Sequence, residues 1–565
     1  MDLSDGRKMS ERDIWSSRER EIIPQLDRLL EPWRVPDSPG CAVGIIAAGE
    51  TVLARGYGMA NLEHGIPISS ASVFRIASTS KQFTACCILL LAERGELEID
   101  GDIREILPEL GHLNTKITAR HLLYHTSGIR DYLTLLYLPG MDADDCVSDT
   151  EVFELLCRQR ALNFPPGERY MYCNSGYFLL SVIVNRLSGI SLRKFADREL
   201  FTPLAMTRTH FHDDHTEIVP GRASGYSPRD GGGYQLNMTN TEIVGDGGAF
   251  TSIEDVLRWI ANFRSNRLGL GSPELIRKLH TPGFLNDGQQ LAYAMGVFVS
   301  PYRGLKMISH SGAYAGFRAE VLWFPERDVG LACLANDSSI EASDIARRIA
   351  DEWFCGAASE AGDRERTVAR PFSPIPSRMS RNWSGFYSNP VTGNIWEIVA
   401  DDDKLTAAVV GGQLHELQAQ ADNHFTGLDA PFEIELRLLG NPPGDEIVLK
   451  IHGAMERQIV LRAVDTEQPS VDQYAECVGH YYSDELRLRY SLSYENGHLH
   501  IDAPDDVVGP LRPIHPELFQ LEHLAVAFFR GEHGGIAGFK LSTSRVRNIL
   551  FRRLTEGEVP DCPGQ

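Results

Sequence analysis

Long apolar runs are missing from this 565-residue chain. Its most hydrophobic stretch, ACCILLLA from Ala85, falls far short of the roughly 18 to 20 residues that span a bilayer and ends at Glu93-Arg94. The N-terminus, MDLSDGRKMSERDIWSSRERE, is charged throughout and lacks the apolar core of a secretory signal. Cysteine is sparse: ten residues, without framework spacing and with only Cys86-Cys87 adjacent, point to free thiols in a reducing compartment. A cytoplasmic location is expected. Basic residues are also in deficit, and a formal charge of −22 repels phosphate backbones and anionic membrane surfaces. No nucleic-acid or membrane partner is therefore expected. A small-molecule or short-peptide substrate suits the charge better; a homodimer is one assembly open to the chain, and the sequence does not fix the oligomeric state. Finally, no Gly-x-Ser-x-Gly elbow occurs, which argues against an α/β-hydrolase.

What remains is ordinary globular composition, 42% apolar and 23% charged, in a chain too long for one core. The first two-thirds mixes helical and strand-like segments. CAVGIIAAGETVLARGYGMAN, from Cys41, reads as a β-hairpin turning near Ala48-Gly49-Glu50. GYFLLSVIVNRLSG, from Gly176, reads as an apolar helix stopped by Gly189. From about Ala357 the texture changes to a charged, proline-bearing linker. Beyond it short strand candidates recur, and Gly385-Phe386-Tyr387-Ser388 is echoed by Gly479-His480-Tyr481-Tyr482-Ser483, 94 residues later. The expected organisation is residues 1–356 as one mixed domain, 357–380 as linker, and two small β-domains, 381–470 and 471–565.

One short motif carries chemistry. In Ser78-Thr79-Ser80-Lys81, residues three apart share a helix face, so the lysine amine lies beside the serine hydroxyl. A lysine held against apolar walls loses solvation, which favours its proton-accepting neutral form. The following FTACCILLLA is apolar on nearly every face, so this helix belongs to the interior. The competing reading makes Ser78 a plain N-cap with Lys81 turned outward. Ser191-Leu192-Arg193-Lys194 fits the same pattern and is read as an N-cap opening a solvated helix.

Two further segments complete a set: Tyr172-Cys173-Asn174, 94 residues after Ser78, and His310-Ser311-Gly312, 138 residues later still. In order and spacing the three motifs resemble those of the penicillin-recognising (β-lactamase-related) serine hydrolases. RGYGMANLEHGIPIS, LLYHTSGIRDY, GDGGAFTSIEDVLRW and HSGAYAGFRAEVLWFPE extend that resemblance across about Gly40 to Phe354. Within the family the chain looks most like the bacterial D-aminopeptidase branch, and GHYYSDEL resembles its barrel openings. The resemblance implies an α+β catalytic domain, an antiparallel sheet flanked by helices, followed by two antiparallel, lipocalin-like β-barrels.

It also implies roles. Ser78 attacks a carbonyl and is acylated, while Lys81 and Tyr172 share the proton transfers. Asn174 hydrogen-bonds Lys81 and a substrate amide. His310 orients or charges the far side of the pocket. Gly312 lets a strand approach the substrate closely, and the N–H groups of Ser78 and Ala313 form the oxyanion hole. No metal or organic cofactor is implied. The implied reaction is release of an N-terminal D-residue from peptides, amides or esters. A family VIII-type carboxylesterase or amidase, or a D,D-peptidase or β-lactamase-like hydrolase, are the alternatives. A non-catalytic penicillin-binding-type capture protein is the alternative of another class. In the D-aminopeptidase branch a loop of the last barrel helps recognise the free amine. The matching stretch here, FQLEHLAVAFFRGEHGGIAGF, is short, which implies a more open pocket.

Three histidine-bearing segments compete for attention. His210-Phe211-His212-Asp213-Asp214-His215 fits a metallo-hydrolase string but is read as an exposed polar loop. His125 is expected to brace the loop behind the site, and His498-Leu499-His500 to decorate a barrel surface. Asp131-Tyr132 is read as a loop turn that could also line the pocket.

Overall fold

The computed structural model describes residues 20, 22–141, 145–355, 384–389, the strands of a first barrel between 395 and 464, and residues 466–503, 508–555 and 558. The expected linker, 357–380, lies outside the described residues.

The catalytic half is built on a six-stranded antiparallel sheet. Its strands are β1 (Cys41–Ala47), β2 (Glu50–Tyr57), β3 (Phe298–Tyr302), β4 (Leu305–Tyr314), β5 (Phe317–Phe324) and β6 (Val329–Ala335). Their order is β3-β4-β5-β6-β1-β2, so the first hairpin closes onto strands made nearly 300 residues later. The hairpin turns through Ala48 and Gly49, both at positive φ, as a two-residue turn between twisted strands requires. Residues alternate between two cores. Cys41, Val43 and Ile45 pack with Ile345, Ile349 and Trp353 of a C-terminal helix, Ala342–Cys355. Ala42 and Ile46 face the larger core, with Val256, Trp259 and Ile260 of the helix Ile253–Arg264. A Cβ at Gly330 would stand 2.4 Å from Ile260, so this helix reaches the sheet only because that position is glycine.

The helix that follows the nucleophile motif, α1 (Lys81–Glu93), is buried at every position from Lys81 to Leu91. It packs against α2 (Asn174–Ser188), the apolar helix that ends at Gly189 with φ +71. The end of α1 is closed by Gly95, at φ +74, whose N–H reaches Ala92 O at 3.1 Å while Glu96 N–H reaches Leu91 O at 2.9 Å. Ser78 itself does not sit in α1. It lies in a preceding 3-10 turn, Ala77–Ser80, which is a tighter winding than the sequence pattern suggests.

Two closed eight-stranded antiparallel barrels follow. The echoed glycine motifs occupy the same place in each, the first strands Gly385–Ser388 and Gly479–Ser483. The barrels meet through Phe386, Val410, Ile514 and Ala525 and through an Arg512–Glu397 ion pair at 2.6 Å. His498 and His500 stand on the outer face of their strand, with Leu499 inside.

The second barrel docks on the catalytic half through a buried ion pair between Arg130 and Glu485. Glu485 also accepts Arg160 N–H at 2.8 Å. Arg130 adds Gln159 Oε1 at 3.0 Å and the carbonyls of Arg547 and Asn548 at 3.0 and 3.1 Å. Tyr490 OH donates to Leu138 O at 2.9 Å. Removing one partner of such a pair strands the other charge in the interior. Glu485→Ala should therefore cost about 3 kcal/mol, seen as an earlier thermal transition. Exchange at an exposed pair such as Arg277–Glu274 should leave the melting curve within experimental scatter.

Candidate active site

The turn before α1 is held in a strained form. Ala77 has φ +45, a region that non-glycine residues rarely occupy. Ser80 fixes it: its hydroxyl donates to Ala77 O at 2.5 Å and accepts Ala249 N–H at 3.1 Å. This aims Ser78 into a cavity of about 660 Å³. Lys81, wholly buried, donates to Ser78 Oγ at 3.1 Å, Asn174 Oδ1 at 2.9 Å and Asp246 O at 2.6 Å. Three acceptors match the three hydrogens of an ammonium, so no polar atom of this lysine is left unpaired. The alternative in which Lys81 turns to solvent is excluded.

Tyr172 comes from the loop ahead of α2. Its hydroxyl is buried without a hydrogen-bond partner in the cavity wall, and its ring centre lies 4.8 Å from Lys81 Nζ. His125 braces it from behind. The two ring centres are 4.3 Å apart, and His125 Nδ1 accepts Cys173 N–H at 3.1 Å. Burial holds the His125 pKa well below the ordinary value, so the ring is neutral and can accept that bond. Asp131 caps the helix Tyr132–Tyr137 and its Oδ2 takes Asn174 N–H at 2.6 Å, fixing the start of α2. Tyr132 does line the cavity, and its hydroxyl donates to Asp246 Oδ2 at 3.0 Å.

The third motif lies on β4. Pairing with β3 stops at Ser309, so one edge of His310–Tyr314 has no strand neighbour among the described residues and faces the nucleophile turn. Ser78, Tyr172, Asn174, His310 and Ala313 all reach one cavity. Of the two roles open to His310, orienting or charging the pocket, the structure removes the second. Burial, with Lys81 nearby, pushes its pKa down to about 3, so it brings no charge. The network assigns the tautomer: Nδ1–H donates to Ser311 O at 2.6 Å and Nε2 accepts Tyr293 OH at 3.2 Å. Gly312 differs from expectation. A Cβ there would lie 2.1 Å from Ile76 O, so the glycine admits the nucleophile turn against the strand rather than the substrate.

The decoys separate. His210 and His212 approach Glu217, whereas His215 groups with Cys146 and Glu242, so the string does not converge on one centre. Glu217 is already claimed by Arg193 at 2.6 and 2.7 Å. His212 is buried against Phe250, not exposed as the sequence reading has it. Ser191 accepts Lys194 N–H at 3.4 Å as an N-cap, remote from the cavity.

Four lining residues escape the sequence reading. Asp246, in Gly245-Asp246-Gly247-Gly248, is buried with Oδ1 unpartnered. The sequence hints at it through an acid among glycines, in the GDGGAFTSIEDVLRW segment that carries part of the family resemblance. Arg75 is a lone charge inside the apolar VFRIA, a signal that could have been weighed. Arg545 and Arg547 come from the second barrel, on the loop between strands Ile536–Ser542 and Ile549–Arg553. The pocket therefore does have a barrel wall, supplied downstream of the stretch that looked too short.

Two outcomes follow from this geometry. Ser78→Ala should abolish turnover and covalent labelling by a fluorophosphonate, read by mass spectrometry, whereas Ser191→Ala should retain both. His280 and His310, each held down to about 3 by burial, stay neutral in the native state while the unfolded chain protonates near 6.5. The unfolded state then binds more protons between those limits, so stability should fall as pH drops from about 6.5 towards 3. Melting temperature against pH should show this slope, shallower in His280→Gln.

Comparison with known proteins places this cavity in a family. The profile of the family described as Beta-lactamase matches residues 27–352. A D-aminopeptidase from Gluconobacter oxydans is 30% identical over 327 residues, covering 58% of this chain and 60% of that protein. A D-aminopeptidase from Cereibacter sphaeroides is 26% identical over 506 residues, 87% of this chain and 89% of that one. The octameric penicillin-binding protein homologue from Pyrococcus abyssi superposes with a TM-score of 0.52 at 23% identity, over 79% of this chain and 99% of its own, a likeness of fold. Since the profile takes in more than half of the sequence and every one of the three motifs, the chain belongs to the Beta-lactamase family.

Proposed function

We propose that the chain is a serine hydrolase that releases the N-terminal D-residue of short peptides, amides or esters through an acyl-enzyme on Ser78. The observation that carries the reading is the Lys81 cluster, in which the Ser78 hydroxyl, the Asn174 amide and the Asp246 carbonyl converge within 3.1 Å of the lysine nitrogen. Ser78 Oγ forms the ester bond as the scissile C–N bond breaks. Lys81 and Tyr172 move the hydroxyl proton to the leaving amine, and water then cleaves the ester by the reverse route. Developing charge on the carbonyl oxygen meets the N–H groups of Ser78 and Ala313. His310 contributes orientation as a neutral ring.

Asp246 supports the aminopeptidase form of this reading. Its carbonyl touches Lys81, so its side chain belongs to the wall beside the nucleophile. Oδ2 is held by Tyr132, and the free, buried Oδ1 is a ready acceptor for the α-ammonium of a substrate. The D-aminopeptidases of Gluconobacter oxydans and Cereibacter sphaeroides lend the same activity as precedent.

A panel of D- and L-aminoacyl p-nitroanilides beside p-nitrophenyl esters tests the proposal. Faster turnover of the D-aminoacyl anilides is expected, and turnover of esters alone would exclude the aminopeptidase. Asp246→Asn should lower kcat/KM for D-aminoacyl anilides by about 10- to 100-fold, the size of a lost charged hydrogen bond. An ester without an amine should be hydrolysed as before.

A further inference from the structure

Although the chain carries 22 excess negative charges, its catalytic cavity is walled by Arg75, Arg545 and Arg547 against a single acid, Asp246. Among the described residues, none of these three guanidinium groups has an ion-pair partner or a side-chain hydrogen bond. Arg75 is only 4% exposed, with Nε unpartnered and the head 5.3 Å from the Tyr314 ring centre and 5.9 Å from that of Phe250. Aromatic faces compensate a buried cation only in part. Elsewhere the chain does pair its buried arginine, as Arg130 with Glu485 shows. Burying Arg75 without a paired anion is costly, whereas Arg545 and Arg547 are half-buried at the cavity, where a guanidinium can exchange water for an anion.

The two barrel arginines are presented rigidly. Arg545 O accepts Asn163 Nδ2 at 2.9 Å and Asp131 N–H at 3.4 Å, while Arg547 N–H donates to Asn163 Oδ1 at 2.7 Å. All of these bonds use main chain, so both side chains remain available to a ligand. Arg545 Cζ stands 5.1 Å from the ring centre of Tyr172, in the wall of the same cavity as Ser78. Guanidinium is the side chain best matched to a planar, bidentate anion.

We infer that Arg545 and Arg547 bind a carboxylate on the leaving-group side of the substrate. The preferred substrate is thus a short peptide with a free carboxylate rather than a neutral amide. The placement rests on the reading proposed above: with the α-ammonium at Asp246, the carboxylate falls on the far part of the substrate. A peptide advances only about 3.3 to 3.6 Å per residue, so the end of a di- or tripeptide stays within reach of the cavity wall. On this view the second barrel reads the substrate while the first domain cleaves it.

The test compares D-alanyl 4-nitroanilide with its 3-carboxy analogue, which differ by one carboxylate. Wild type should prefer the carboxylated anilide at least tenfold in kcat/KM, and the preference should shrink as salt is raised. Arg545→Ala/Arg547→Ala should bring the two substrates to parity, and Arg545→Lys/Arg547→Lys should restore part of the difference. Equal kcat/KM in wild type, or a preference that survives the double alanine variant, overturns the inference. A second readout does not depend on turnover: slowing of fluorophosphonate labelling at Ser78 by D-alanyl-D-alanine and by its C-terminal amide. The free acid should protect at tenfold lower concentration in wild type only, and equal protection overturns the carboxylate site. Labelling without turnover of either anilide would instead remove the aminopeptidase reading, leaving the protection result to decide the site.

Discussion

The position of one buried nitrogen governs the molecule. Lys81 Nζ has no water to fall back on, so Ser78, Asn174 and the Asp246 carbonyl must stand where they do or a buried donor is left unpaired. Each acceptor comes from a different part of the chain, and each is fixed in turn. Ser78 is set by the strained Ala77 turn and the Ser80 clamp, Asn174 by Asp131, and Asp246 by Tyr132. The deeply buried α1, the glycine-admitted contact between β4 and the nucleophile turn, and the His125 brace serve the same end. Catalytic order and fold order are here a single constraint.

The parts that local pattern dictates are legible in the sequence. The β1–β2 hairpin, the buried character of α1, and the caps at Gly95 and Gly189 follow from short-range rules of alternation and termination. Ser78, Lys81, Tyr172, Asn174 and His310 could be proposed because each sits in a motif that the family resemblance marks. The charge on His310 could not be read, because it depends on burial and on Lys81, which only the packed interior supplies. Gly312 is similar: a glycine on a strand announces a close approach without naming the neighbour, and the neighbour is Ile76.

The barrel wall escaped for a different reason. Arg545 and Arg547 look like ordinary loop arginines, and nothing within ten residues ties them to Ser78. Their place follows from Asn163 and Arg130, more than 380 residues earlier, which seize the backbone of that loop. Asp246 was hidden the same way, since a loop acid among glycines is usually solvated and this one is buried. Both cases show long-range packing turning unremarkable residues into the wall of a cavity.

The clasp of Asn163 and Arg130 on the Ser544–Arg547 loop also bears on biosynthesis. Translation delivers the nucleophile, the lysine and the tyrosine hundreds of residues before that loop, so the nascent catalytic half waits with one side of its cleft missing and Arg130 bare. Until the final hairpin of the second barrel closes and docks, the cavity lacks the wall that Arg545 and Arg547 supply. Arrival of the last strands thus completes the wall of the cavity around Ser78.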